Sequence, residues 1–349
     1  MTPATGITAA FVDRILAVEF DALPRRAVEV AKQVVSDTLA VTLAGATRAA
    51  DVARISIGYV REQGGALQAS VVAGGFKTSM QNAAYVNGTL ANVLEFDAAW
   101  SPPNHPASPT VPAIFAIAEC RRLSGPAVLE AVVAAFEVQA RIRLAGTGLS
   151  GGFHKPGVGF KAYPCIYLIH RAIDAALALR REFDIRPEQI DAVQIVQPPL
   201  HSVDRPTPKD ALAANHSTQY ATLIALLDGE VTIDSFSDGR LHAADVGALL
   251  PRVQYQADES IPATLEDMFA TVNVTLKSGR QLSRRVDRRA GWMGNPLSRE
   301  QQRAKFLSCA RPLLDEKAAQ RMLELADRIE TLGDVGEIMD IARCDACNI

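Results

Sequence analysis

At 349 residues, with 48% hydrophobic and 21% charged side chains, the chain is longer than one hydrophobic core usually supports, so two domains are expected. Aromatics make up 6% while Ala, Val and Leu abound, the profile of a soluble, helix-rich globular protein. A net charge of −3 with no dense basic run leaves no electrostatic footprint for nucleic acid or a membrane surface, although a local cluster of Lys, Arg and His can still hold an anion.

The first twenty residues are polar and then amphipathic, with Asp13, Arg14 and Glu19 interrupting any apolar core, which argues against a signal peptide. No apolar run reaches membrane-spanning length. Cys120, Cys165, Cys309, Cys344 and Cys347 form an odd, scattered set, which suggests reduced thiols in a cytoplasm. Cys344 and Cys347 have redox-motif spacing, yet without a βα context they read as part of a frayed tail.

Helices are expected over 7–18, over 23–45 and over 49–62. Apolar residues on more than one face bury the second of these deeply, and Gly45 ends it. Residues 69–73 read as a strand or as buried coil. A helix beginning at Met80 continues through Asn92, Leu94, Glu95 and Phe96, with Asp97 at its end. Pro102, Pro103, Pro106 and Pro109 then forbid regular helix and stiffen the backbone that carries Asp97 and His105. A carboxylate and an imidazole eight residues apart on such a loop can face one cavity, one orienting and the other carrying a proton. The plainer reading has Asp97 capping the loop and His105 solvated.

Helices over 111–123 and 126–145 follow, separated by Ser124-Gly125, where serine can cap and Pro126 suits a first turn. After Gly146 comes a glycine-rich stretch, GTGLSGGFHKPGVGF, with His154 and Lys155, and then a helix that brings Lys161 and His170. From Ile190 the pattern is β-like: one strand in AVQIVQP, a hairpin turning at Lys277-Ser278-Gly279, and another strand in VQYQAD, with a helix over 217–227 among them. Gly291 to Pro296 is a turn-rich exit, after which 298–310 and 315–330 return to helix. The fold class is mainly α with an α+β second domain. Residues 1–158 and 293–349 form the helical domain and 159–292 the α+β domain.

Taken together and in order, LEFD with NHPASPTVPA, the SG-led helix with FEVQAR, GGFHKPG, KAYPC with H-x-x-I-D, and GNPLS followed by a Lys-Phe pair resemble the MmgE/PrpD family nearly end to end. That family includes 2-methylcitrate dehydratase, cis-aconitate decarboxylase and iminodisuccinate epimerase. The resemblance implies a large helical domain, a smaller α+β lid with the site in the cleft between them, a homodimer, and neither metal nor cofactor. It carries the family's acidic residue onto Asp97, its histidines onto His105 and His154, and its lysine before an aromatic-Pro pair onto Lys161.

Two departures stand out. Ala98, Ala99 and Trp100 follow Asp97 where the family places a second acid and a hydroxyl residue. Between His154 and Lys161 the family carries a run of helices with a K-x-x-H-x-G motif, and here only KPGVGF lies there. The resemblance implies a cofactor-independent lyase that acts on a small di- or tricarboxylate by taking a proton α to a carboxylate and expelling water. His105 and His154 would share acid and base duties, Asp97 would orient a histidine, and Lys161 would bind a carboxylate. Decarboxylation, epimerisation, or a non-catalytic dimeric relative are the alternatives. By residue type alone Lys161 reads as a surface lysine. His170 reads as packing or a lid contact, His201, His216 and His242 as structural or solvated, and Tyr163 as core.

Overall fold

The computed structural model describes residues 6–100, 104–147 and 157–344. The fold is mainly α with an α+β part, and the chain divides into two compact units, residues 1–159 with 298–349 and residues 160–297.

The first unit opens with α1 (Ile7–Leu16), α2 (Arg25–Arg48) and α3 (Ala50–Gln63). Val30, Val34, Val35, Leu39, Val41 and Leu43 bury α2 on several faces, as its apolar pattern requires. The helix does not end at Gly45 as expected but runs to Arg48. Gly45 is a packing glycine: a β-carbon there would stand 2.0 Å from the Leu90 carbonyl oxygen.

A two-strand ribbon follows, β1 (Ala69–Ser70) against β2 (Lys77–Thr78). Its buried backbone is satisfied by side chains. Asn87 accepts from Val72 N at 2.9 Å and donates to Ser70 O at 3.0 Å, while Glu119 accepts from Ser70 N at 2.7 Å.

Helix α4 (Met80–Asn92) starts at Ser79, whose hydroxyl accepts from Asn82 N. It stops at Asn92, earlier than the periodicity suggests, because the chain turns there: Glu95 N donates to Asn92 O, and Glu95 takes a φ of 52°. Strand β3 (Ala99–Trp100) comes next, then α5 (Ala107–Arg121). The prolines break less than the sequence suggests. Pro109 lies in the first turn of α5, where backbone N–H groups have no intrahelical partner, and Pro112 is carried inside the helix. Helix α6 (Gly125–Thr147) and β4 (Val158–Gly159), which pairs with β3, complete this part. Ile55, Tyr59, Tyr85, Ile117 and Ile142 stand exposed on α3 to α6.

The second unit contains α7 (His170–Phe183), β5 (Ile190–Gln197), α8 (Ala211–Ala214), α9 (Thr218–Asp228), α10 (Asp238–Leu241), α11 (Ala244–Leu249), β6 (Val253–Ala257), β7 (Ala270–Leu276) and β8 (Gln281–Val286). The sheet order is β6-β5-β7-β8, with β5 parallel to β6 and antiparallel to β7. Gly279, at a φ of 83°, makes the β7–β8 turn. Val193, Ile195, Val272 and Val274 point into a core shared with Ile173, Leu179, Leu223 and Ile224. The alternate residues form a hydrogen-bonded row across the other face, Gln256 to Gln194 to Asn273 to Ser283, at 2.7, 2.9 and 2.6 Å.

Helices α12 (Arg299–Ala310), α13 (Glu316–Asp327) and α14 (Gly336–Ala342) return to the first unit. The last of these was not legible in the sequence. Gly125 N donates to Leu332 O at 2.8 Å, an approach so close that a β-carbon on Gly125 would lie 1.5 Å from the Ile329 carbonyl oxygen. Among the described residues no helix is long and apolar enough to cross a membrane.

Candidate active site

In the first unit the structure brings Asp97 and His105 together. Asp97 is fully buried, and its two carboxylate oxygens lie 2.9 and 3.1 Å from His105 Nδ1. Local structure explains the approach. Asp97 sits between the end of α4 and β3, while Trp100 N donates to Asn104 O at 3.4 Å, so that His105 comes back beside Asp97 just before α5 begins.

Proton placement follows from the neighbours. A buried carboxylate at 2.9 Å is the stronger partner of Nδ1, so Nδ1 carries the proton and donates to Asp97. The Asn92 side-chain amide, 3.3 Å from Nδ1, then donates to Ser108 Oγ at 3.4 Å. In this tautomer Nε2 bears the lone pair, on a side chain 39% exposed, and Glu95 Oε2 lies 3.9 Å from it. The arrangement can take a proton at Nε2 and stabilise the resulting imidazolium through Asp97 and Glu95. An open groove of about 700 Å³ runs along α4 and α5, lined by Tyr85, Gly88, Thr89, Asn92, Ser108 and Pro109, and Asn92 reaches from it to His105.

The backbone entering this site is anchored from α12. Lys305 Nζ donates to Phe96 O at 2.9 Å and to Asp37 Oδ1 at 2.6 Å, and stands 3.9 Å from the centre of the Phe96 ring. In the sequence Asn92 and Glu95 read only as members of a helix, and no local signal marks Asp37 as part of a site. The only sequence signal for Lys305 was the Lys-Phe pair after GNPLS.

Lys161 belongs to the second unit. Its side chain is buried, against the surface position that its residue type suggests, with Nζ 5.7 Å from the centre of the Tyr167 ring. Tyr163 is half-buried and donates to Asp174 Oδ1 at 2.6 Å, and burial pushes its phenol well above the ordinary range. His170 packs between the Tyr163 and Tyr167 rings, with Nε2 3.2 Å from Cys165 O. His201 and His242 are exposed and His216 is half-buried. His154 lies outside the described residues, as does Cys347. Among the described residues no three His, Cys, Asp or Glu side chains gather as a metal site.

The model of the MmgE/PrpD N-terminal domain matches residues 9–162, and that of the MmgE/PrpD C-terminal domain matches residues 163–331. Cis-aconitate decarboxylase of Mus musculus is 29% identical over 184 residues, which cover 51% of this chain and 38% of that protein. Cis-aconitate decarboxylase of Homo sapiens is 29% identical over 182 residues, again 51% of this chain and 38% of the relative. The match thus spans well under half the length of these relatives.

Proposed function

Because the chain belongs to the MmgE/PrpD family, we propose that it is a cofactor-independent lyase that removes a proton α to a carboxylate of a small di- or tricarboxylate. The observation that carries this reading is the pairing of buried Asp97 with half-exposed His105. A proton on carbon next to a carboxylate is only weakly acidic, so the base must be aimed and its charged form supported. Asp97 holds the imidazole by Nδ1–H, Nε2 accepts the proton, and the carboxylate balances the imidazolium without becoming protonated itself. A positioned base of this kind is worth about 10²–10⁴ in rate.

Charge that develops on the substrate calls for a cation, and we assign carboxylate binding to Lys161 and the complementary acid role to His154. Loss of water is the reaction first assigned. The two cis-aconitate decarboxylases among the relatives favour loss of carbon dioxide as the second reading. All three pass through similar stabilised carbanion-like states: in dehydration the state forms by proton abstraction and expels hydroxide, in decarboxylation it forms as carbon dioxide leaves and then takes up a proton, and in epimerisation the abstracted proton returns on the other face. The exposed Ile55, Tyr59 and Ile117 support a homodimer, in keeping with the family.

Proton exchange and turnover followed by NMR on citrate, 2-methylcitrate, cis-aconitate and iminodisuccinate test the reading. Reaction of any one, abolished by His105→Ala, is expected. Absence of citrate-induced thermal stabilisation, with no exchange and no turnover, would instead identify a non-catalytic relative that has lost the site.

A further inference from the structure

Positive charge in the second unit is buried without enough negative charge beside it. Arg171 is 1% exposed and Arg289 fully buried. Both point at one acceptor: Arg171 Nη2 donates to Leu265 O at 2.7 Å, and Arg289 Nη1 donates to the same oxygen at 2.9 Å. Arg171 Nε donates to Asp287 O at 2.9 Å. Arg171 Nη1 and Arg289 Nε and Nη2 are buried with no hydrogen-bond partner among the described residues. Unmade hydrogen bonds on buried charged groups are costly, and a fold keeps them where something else compensates.

The neighbouring acids compensate only in part: Glu266 and Asp174 favour the charge of both arginines, and burial outweighs them. Asp174 already accepts from Tyr163 Oη at 2.6 Å and from Ala290 N at 2.8 Å, and burial raises its pKa, which disfavours its charge. Glu266 and Asp287 are exposed. Burial first, and then the charge of Arg171, pushes the Arg289 guanidinium down to about 9. Arg289 also lies 3.9 Å from the centre of the Trp292 ring and 4.6 Å from that of Tyr167, the ring that Lys161 approaches.

We propose that Arg171 and Arg289 form a binding site for a carboxylate of the substrate. The unpartnered atoms of Arg289 are Nε and Nη2, the edge of the guanidinium whose two parallel N–H groups match a carboxylate's two oxygens. Arg171 Nη1 supplies a further donor. The Leu265 carbonyl gives a partial negative charge where two full positive charges converge, and a bound carboxylate gives a whole one. Access requires the segment 258–269, which carries Leu265 and has no regular structure, to move aside. The site rests on the reading of a carboxylate substrate given above, and deepens it by assigning a second anchoring point beside Lys161.

Calorimetric titration of the full chain with tricarballylate, a tricarboxylate that cannot eliminate water, tests the site. Arg289→Met is expected to weaken binding by about 10-fold or more, the loss of one bidentate charged pair. It is also expected to raise the Tm of the ligand-free protein, because an under-compensated buried charge has gone. Unchanged affinity in the variant, or no binding to the native chain, would overturn the proposal. Inorganic phosphate bound as tightly as tricarballylate would overturn the carboxylate assignment. Should Arg289→Met not fold, the Trp292 indole resonance of the native protein decides: it moves on titration if Arg289 engages the ligand, and a still resonance at saturation overturns the site. Turnover of the four-substrate panel with unaltered Arg289→Met binding removes the arginine site and keeps the lyase. Binding lost in the variant with no turnover of the panel does the reverse.

Discussion

The ammonium of Lys305 holds the carbonyl of Phe96, the residue before Asp97, and is held in turn by the carboxylate of Asp37. A side chain from the returning helix α12 therefore fixes the peptide on which the Asp97–His105 pair depends. Both partners of the ion pair are nearly buried, at 7% and 8% exposure.

Lys305→Met removes the ammonium that holds the nearly buried Asp37 carboxylate, and a loss of about 3–5 kcal/mol is expected in chemical denaturation. Adding Asp37→Leu should recover most of that stability. Turnover should stay low in the double variant, with the pH dependence of kcat displaced, because the Phe96 carbonyl is no longer tethered. Full turnover in the stable double variant would show that the anchor serves the fold alone.

Asp97→Asn keeps the volume but removes the charge that fixes Nδ1–H and balances the imidazolium. A fall in kcat of about 10²–10⁴ is expected, with the same loss for His105→Ala, and with far-ultraviolet circular dichroism unchanged in both. The two losses should not add, since the residues act as a unit. Additive losses would separate their roles.

Gly45→Ala drives a methyl into the Leu90 carbonyl, 2.0 Å from where the carbon would stand, and forces α2 away from α4. Destabilisation of about 1–3 kcal/mol is expected from the shift in denaturation midpoint. A neutral effect would mean that the two helices are less closely packed than described.

Burial pushes the Cys309 thiol up to about 12, whereas an unfolded cysteine ionises near about 8.5. Between those values the folded chain binds more protons at this site than the unfolded chain, so stability falls as pH rises. Cys309→Ala should remove that part of the alkaline slope of Tm. An identical slope in the variant would place the loss elsewhere.

Most elements were legible because their residues carry a local signal: the Ser124-Gly125-Pro126 start of α6, the alternation in β5 and β7, and the glycine turn between β7 and β8. Errors arose where a distant partner decides. Gly45 reads as a helix end until Leu90 is placed against it, and Pro109 reads as a helix breaker until α5 is seen to start at Ala107. Spacing on a constrained segment allowed Asp97 and His105 to face one cavity but left open that each serves the loop alone, and tertiary structure decides for their contact. The burial of Lys161, Arg171, Arg289, Lys305 and Asp37 was not legible, since a charged residue type signals solvent, and only tertiary packing reverses that.

The bonds from Gly125 N to Leu332 O, from Val335 N to Leu123 O and from Ala73 N to Ala342 O make the first unit discontinuous in sequence, whereas residues 160–297 are continuous. On the ribosome the order of completion therefore runs against the order of synthesis. Residues 1–159 wait, apolar faces open, until α12 to α14 emerge, and residues 160–297 can finish first. Nascent chains arrested after Leu297 should be cleaved by protease mainly before residue 160, and equal cleavage on both sides would refute this order. The interval before α12 to α14 arrive is when the protein has most need of a chaperone.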